Sequence, residues 1–296
     1  MRPVLVWPLL FALGARPLVA QVPAAPIAEA FRLFDRVGES VWAGWGSAPT
    51  QLLLVADSVE RFYATPRSGT ATWSRKRIFS PRFQATFPAV GGVPTIVIGT
   101  PAGTGTPVDR WVLVVLHEHF HQLQYSRPDY YTRLAALGLA RGDTTGMWAL
   151  NFPFPYDSTA VQGAVRRWAL AMQTALRAKG AAFEAAHADA RDQKRALDAM
   201  LSPDDRKYFD FQLWQEGVPR WVELATARAG NGARLVADST LAWQEARLVD
   251  DLGRIDLGAQ RREVVYPLGA AMAELMERRG MKWKERYFEK MFVLEL

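Results

Sequence analysis

His117-Glu118-His119-Phe120-His121 holds three of the chain's four histidines. Read as H-E-x-x-H, it sets His117 and His121 four residues apart, on one face of a helix, where two imidazoles can grip a single ion. Glu118 follows the first imidazole and projects beside the same face, within reach of a water on that ion. His119 sits about 200° around the helix from His117 and faces away.

The stretch makes sense only on a helix, and its surroundings supply one. Asp109 reads as an N-cap, the helix runs from Arg110 to about Ser126, and Pro128 closes it. Its first half, Trp111 to Leu116, is apolar on every side, which predicts a buried element. Upstream, Ile27 to Val37 carries a helical apolar stripe. From Val41 to Gly105, short apolar runs alternate with Gly, Pro and Ser. Leu52 to Val55, Val59 to Tyr63, Ile78-Phe79 and Thr95 to Ile98 are the expected strands, and Pro101 to Pro107 is an expected loop. Downstream the pattern is helical: Tyr130 to Leu139, Ala160 to Arg177, Ala181 to Leu201, a start at Ser202-Pro203-Asp204-Asp205, Leu213 to Ala229 and Val264 to Arg279. The expected fold is therefore α+β. A small twisted sheet in a mixed part (21–108) precedes a mostly helical part (109–296), with the His117–His121 helix between them.

A catalytic zinc takes three protein ligands and keeps one position open. His187 lies in the alanine-rich Ala185-Ala186-His187-Ala188-Asp189 and reads as a surface or helix-packing residue. Glu216 is the stronger third ligand. It stands between Trp214-Gln215 and Gly217 within an apolar stretch, which is unusual for a solvated carboxylate. Pro219 is tolerated in a first helical turn, which would put Glu216 near a helix N-terminus, and Gly217 would permit close helix packing.

His117-Glu118-His119-Phe120-His121-Gln122 followed by Glu216-Gly217-Val218-Pro219-Arg220-Trp221-Val222-Glu223 resembles the gluzincin metallopeptidases, in which a Glu on a later helix is the third zinc ligand. The resemblance covers about twenty residues. It implies a zincin-like fold, one Zn2+ held by His117, His121 and Glu216, and Glu118 as general base for peptide-bond hydrolysis. It also implies Glu223 as a carboxylate behind a ligand histidine. Tyr266, in Tyr266-Pro267-Leu268-Gly269, would be an oxyanion donor, and Thr95 to Gly99 the edge strand that holds an extended substrate. Pro219 replaces the family's usual Ala and is expected to distort the ligand helix. The helices from Ala160 to Leu201 would be an insertion over the cleft.

The first twenty residues read as a secretory signal, with Arg2, the apolar Val4 to Ala15 and a cleavage site after Ala20. The apolar run is too short to span a bilayer, so no stable membrane insertion is expected after its removal. Hydrophobic residues make up 49% of the chain, enough for a sizeable core. Removing Arg2 and Arg16 lowers the formal net charge from +6 to +4. The charge is dispersed, so nucleic acid is not an expected partner, and Arg75-Lys76-Arg77 reads as a solvated turn. Cysteine is absent, which excludes disulfides and thiol nucleophiles. No Gly-x-Ser-x-Gly elbow or phosphate loop is present. These features suit a secreted or periplasmic protein acting on a peptide or protein. The alternative is an exported binding protein on the same scaffold that holds a peptide or envelope partner without cutting it. Eleven Trp and the Phe152 to Tyr156 segment would form its recognition surface.

Overall fold

The computed structural model describes residues 25–296. The expected signal segment lies outside them. Helix α1 (Ala25–Val41) leads into strands β1 (Leu52–Val55), β2 (Val59–Tyr63), β3 (Trp73–Lys76), β4 (Gln84–Val90) and β5 (Val93–Gly99). They form one sheet of order β3-β2-β1-β5-β4, mixed because β1 and β5 run parallel while the other pairs are antiparallel. The central β1 is apolar on both faces for a physical reason. Leu52 and Leu54 point into the large helical core, whereas Leu53 and Val55 point into a second cluster with Phe62 and Val97. Phe79, Phe83 and Phe87 pack over that second face.

Two of the expected strands differ in the structure. Ile78-Phe79 is not a strand; both backbone amides donate to Glu60, a fully buried carboxylate that also takes Arg75 at 2.7 Å. Arg75 and Lys76 thus belong to the edge strand β3 rather than to a turn, and cationic side chains on an edge discourage further strand pairing. Thr95 to Gly99 lies in β5, an inner strand, so the free edge beside the helices is β4. Pro88 and an irregular register between Phe87 and Val90 are tolerated there because an edge needs no ladder bond on its outer side. The Pro101 to Pro107 loop contains a short helix, α2 (Pro101–Thr104), capped by the Thr100 hydroxyl.

Helix α3 (Val108–Tyr125) follows the sheet. Pro107, not Asp109, is its N-cap; Asp109 lies in the first turn and accepts from Thr240 Oγ1 at 2.5 Å. Trp111, Leu113, Val115 and Leu116 are all buried because α3 is packed by β4 and β5, by α1 and by a later helix. The helical part then runs through α4 (Tyr130–Ala136), α5 (Trp148–Asn151), α6 (Thr159–Arg177), α7 (Gly180–Asp198) and α8 (Pro203–Gln212). It continues with α9 (Val218–Gly232), α10 (Asp238–Gly253), α11 (Leu257–Gln260), α12 (Val265–Arg278) and α13 (Trp283–Arg286). Among the described residues, no helix is long and apolar enough to cross a membrane.

Candidate metal centre

The centre is built where α9 crosses α3. Helix α8 runs into α9 through one π turn, Leu213–Gly217, so Glu216 sits inside a long helical run and not near a helix start. Pro219 explains the turn. It has no N–H to offer the carbonyl of Gln215, and the wider turn turns that carbonyl and its neighbour outward. Gln124 Nε2 reaches the carbonyls of Gln215 and Trp214 at 3.2 and 3.4 Å, and the Tyr287 hydroxyl donates to Trp214 O at 2.9 Å. The turn is seated on α12 by a glycine pair. A Cβ on Gly217 would overlap the Gly269 backbone, and one on Gly269 would overlap the carbonyl of Leu213.

This packing brings three donor atoms together. His117 Nε2 and His121 Nε2 are 3.2 Å apart, and Glu216 Oε2 lies 3.4 Å from the second and 4.0 Å from the first. A tetrahedral ion with bonds of about 2.0–2.1 Å requires donor separations of about 3.3 Å, so the set fits one small divalent cation. The buried His117, His121 and Glu216 group can hold a metal ion.

Hydrogen bonds behind the imidazoles select the correct tautomers. His117 Nδ1 donates to Glu223 Oε1 at 2.9 Å, which leaves Nε2 with a free lone pair. Gln124 spends its amide N–H groups on carbonyls and on Tyr287, so its Oε1 must accept; His121 Nδ1 donates to it at 2.6 Å. Gln215 Nε2 donates to the same oxygen at 3.0 Å, and its own Oε1 takes the Tyr130 hydroxyl at 2.8 Å. Glu223 Oε2 is held by Arg220 at 2.7 Å and Gln244 at 3.4 Å.

The site is electrostatically suited to a cation. Burial pushes the Glu216 carboxyl up, but His121, Arg262 and His117 outweigh it and bring it to about 2. Burial likewise opposes Glu223, yet Arg220 and His117 hold it at about 2. Burial presses His121 down, while the Glu216 charge raises it on balance. Each shift records the attraction between a carboxylate and the cationic groups set around it.

Glu118 Oε2 accepts from the Thr86 hydroxyl of β4 at 2.9 Å. It lines an open cleft of about 780 Å³ together with His117, Glu223, Arg262 and Tyr266. Tyr266 stacks on His117 with ring centroids 6.0 Å apart, and its hydroxyl is 3.3 Å from Arg262 Nη2. Burial and the Glu216 charge raise the phenol, so it keeps its proton. Arg262 Nη1 contacts the second oxygen of Glu216 at 3.3 Å.

His119 points the other way, between Phe34, Phe31 and Trp45. His187 is buried on α7 beside Phe183, away from the centre. Helices α6 and α7 pack on each other, with α6 against α10 and α12; no residue of either lines the cleft, so these helices do not form the cover expected of them. Phe152, Phe154 and Tyr156 are buried against Tyr208 and Phe209 and offer no recognition surface. Thr86, Gln124, Gln215, Arg220 and Arg262 were not singled out by the sequence. Of these, Gln124 and Arg220 left a signal, standing three residues beyond His121 and three before Glu223 on the same helices. No family model, curated protein or solved structure matches this chain.

Proposed function

We propose that the chain is an exported zinc metallopeptidase of the gluzincin type, hydrolysing peptide bonds in a peptide or protein substrate. One observation carries the reading: His117, His121 and Glu216 converge at separations of 3.2 to 4.0 Å, with Glu118 beside them on the wall of an open cleft. Four-sided closure, the mark of a structural zinc site, is missing from this donor set. Zinc, when bound, lowers the pKa of a water toward about 7 and polarises the scissile carbonyl. Glu118 takes the water's proton and delivers it to the leaving amine, its carboxylate oriented by Thr86. Tyr266, still protonated, donates to the oxyanion, with Arg262 holding the phenol in place. The free edge of β4 carries Thr86 to Glu118 and is the strand against which an extended substrate would lie. Cleaved behind Ala20, the mature chain would act in the periplasm or outside the cell.

The test is a peptide-library digest by wild type and Glu118→Gln, each with zinc measured. The variant is expected to keep its zinc and lose at least a hundredfold in turnover. Equal turnover by both proteins would sink the reading.

A further inference from the structure

The cleft that His117 and Glu118 line is also lined by Arg110, from the N-terminal end of α3, and by Arg220, Trp243 and Arg247. Arg110 packs its guanidinium on the Trp243 ring at 3.9 Å, and Arg247 lies over the same ring at 4.9 Å. The three cations differ in how they are satisfied. Arg220 is paired with Glu223 at 2.7 Å and Arg247 with Asp251 at 3.3 Å. Arg110 has no acidic partner among the described residues, and its Nε is buried without a hydrogen bond. A second donor, Arg220 Nη2, is also buried and unmatched. Arg110 thus brings a charge with no carboxylate against it to the cleft wall, and a planar anion lying in the cleft would pair with its guanidinium. Arg110 precedes His117 by seven residues, so both side chains leave the same face of α3, about 10 Å apart along the axis. An extended peptide covers that distance in about three residues.

On the reading above, we infer that the cleft selects peptides bearing a carboxylate, which Arg110 binds against Trp243 within about three residues of the scissile bond. A carboxylate suits the site better than a phosphate. Asp251, Glu263, Glu223 and Glu118 line the same cleft and would repel a dianion. The carboxylate can come from an acidic side chain or from the peptide's C-terminus.

Binding separates this inference from the hydrolytic reading. Acetylated tetra-alanine amide, its free acid, and the amide with one Glu placed in turn at each position are titrated by calorimetry. The protein is zinc-loaded Glu118→Gln, alone and combined with Arg110→Gln or Arg110→Lys. One acidic peptide is expected to bind about tenfold to a hundredfold tighter than the neutral amide. The preference is expected to vanish with Arg110→Gln and to return in part with Arg110→Lys. Preference for the free acid assigns the terminal carboxylate, and preference for a Glu peptide assigns the side chain. Equal binding of neutral and acidic peptides, or a preference untouched by Arg110→Gln, overturns the inference. Carboxylate selectivity in a protein that cuts nothing would leave the inference standing and remove only the peptidase.

Discussion

Glu223 lies two helical turns beyond Glu216 and holds the back of His117 at 2.9 Å, so on the proposed function it would act on a bound ion through the imidazole. Replacing it with Gln preserves shape but removes the charge that Arg220 pairs with. Zinc affinity is expected to fall about tenfold to a hundredfold, read by competition with a chromophoric chelator. Unchanged affinity would mean that the carboxylate is only a structural partner of Arg220. His117, Glu118 and His121 were visible in the sequence because each owes its position to spacing on one helix, whereas Glu216 stood out as a carboxylate in an apolar stretch and Glu223 through the family resemblance. Thr86 and Arg262 were not, since their places depend on β4 reaching α3 and on the turn before α12 reaching α9. No local pattern encodes either approach.

At the scale of elements, the π turn decides whether Glu216 reaches the histidines. Gly217 and Gly269 let α12 approach it closely enough that neither position has room for a methyl group. Gly217→Ala is expected to cost about 1–3 kcal/mol in urea unfolding and to weaken zinc binding, because relief of the overlap moves Glu216. A variant as stable as wild type and equally tight for zinc would show that the turn is not a constraint. Pro219 announced a disturbance in the ligand helix, but a kink and a π turn are indistinguishable from one proline. The difference lies in Gln124 and Tyr287, which accommodate the freed carbonyls from far away in the chain. The sheet was legible where strands are apolar, as in β1 and β5, or carry β-branched and aromatic residues between turn residues, as in β2. It was not where an edge strand is polar or contains proline, as in β3 and β4.

For the molecule as a whole, burial makes stability depend on acid. His119 is lowered to about 4 by burial among aromatic rings, against 6.5 for the free side chain. The unfolded chain therefore binds this proton first as pH falls, so stability is complete above about 6.5 and is lost progressively toward about 4. The metal-free protein is expected to lose about 3 kcal/mol over that range from this group, measured by urea unfolding at a series of pH values. Glu60 shifts downward, with burial opposing and the Phe79 amide and Arg75 prevailing, so its contribution is present above 4.5 and fades below it. A flat profile between pH 6.5 and 4, or one unchanged by His119→Phe, would contradict the assignment.

On the proposed function, two imidazoles and one distant carboxylate form a single open site for zinc. Elemental analysis of the purified chain, wild type beside Glu216→Ala, addresses it most directly. One zinc per wild-type chain is expected, with most of it lost in the variant. A wild type that binds no zinc, or a variant that retains a full equivalent, would contradict it.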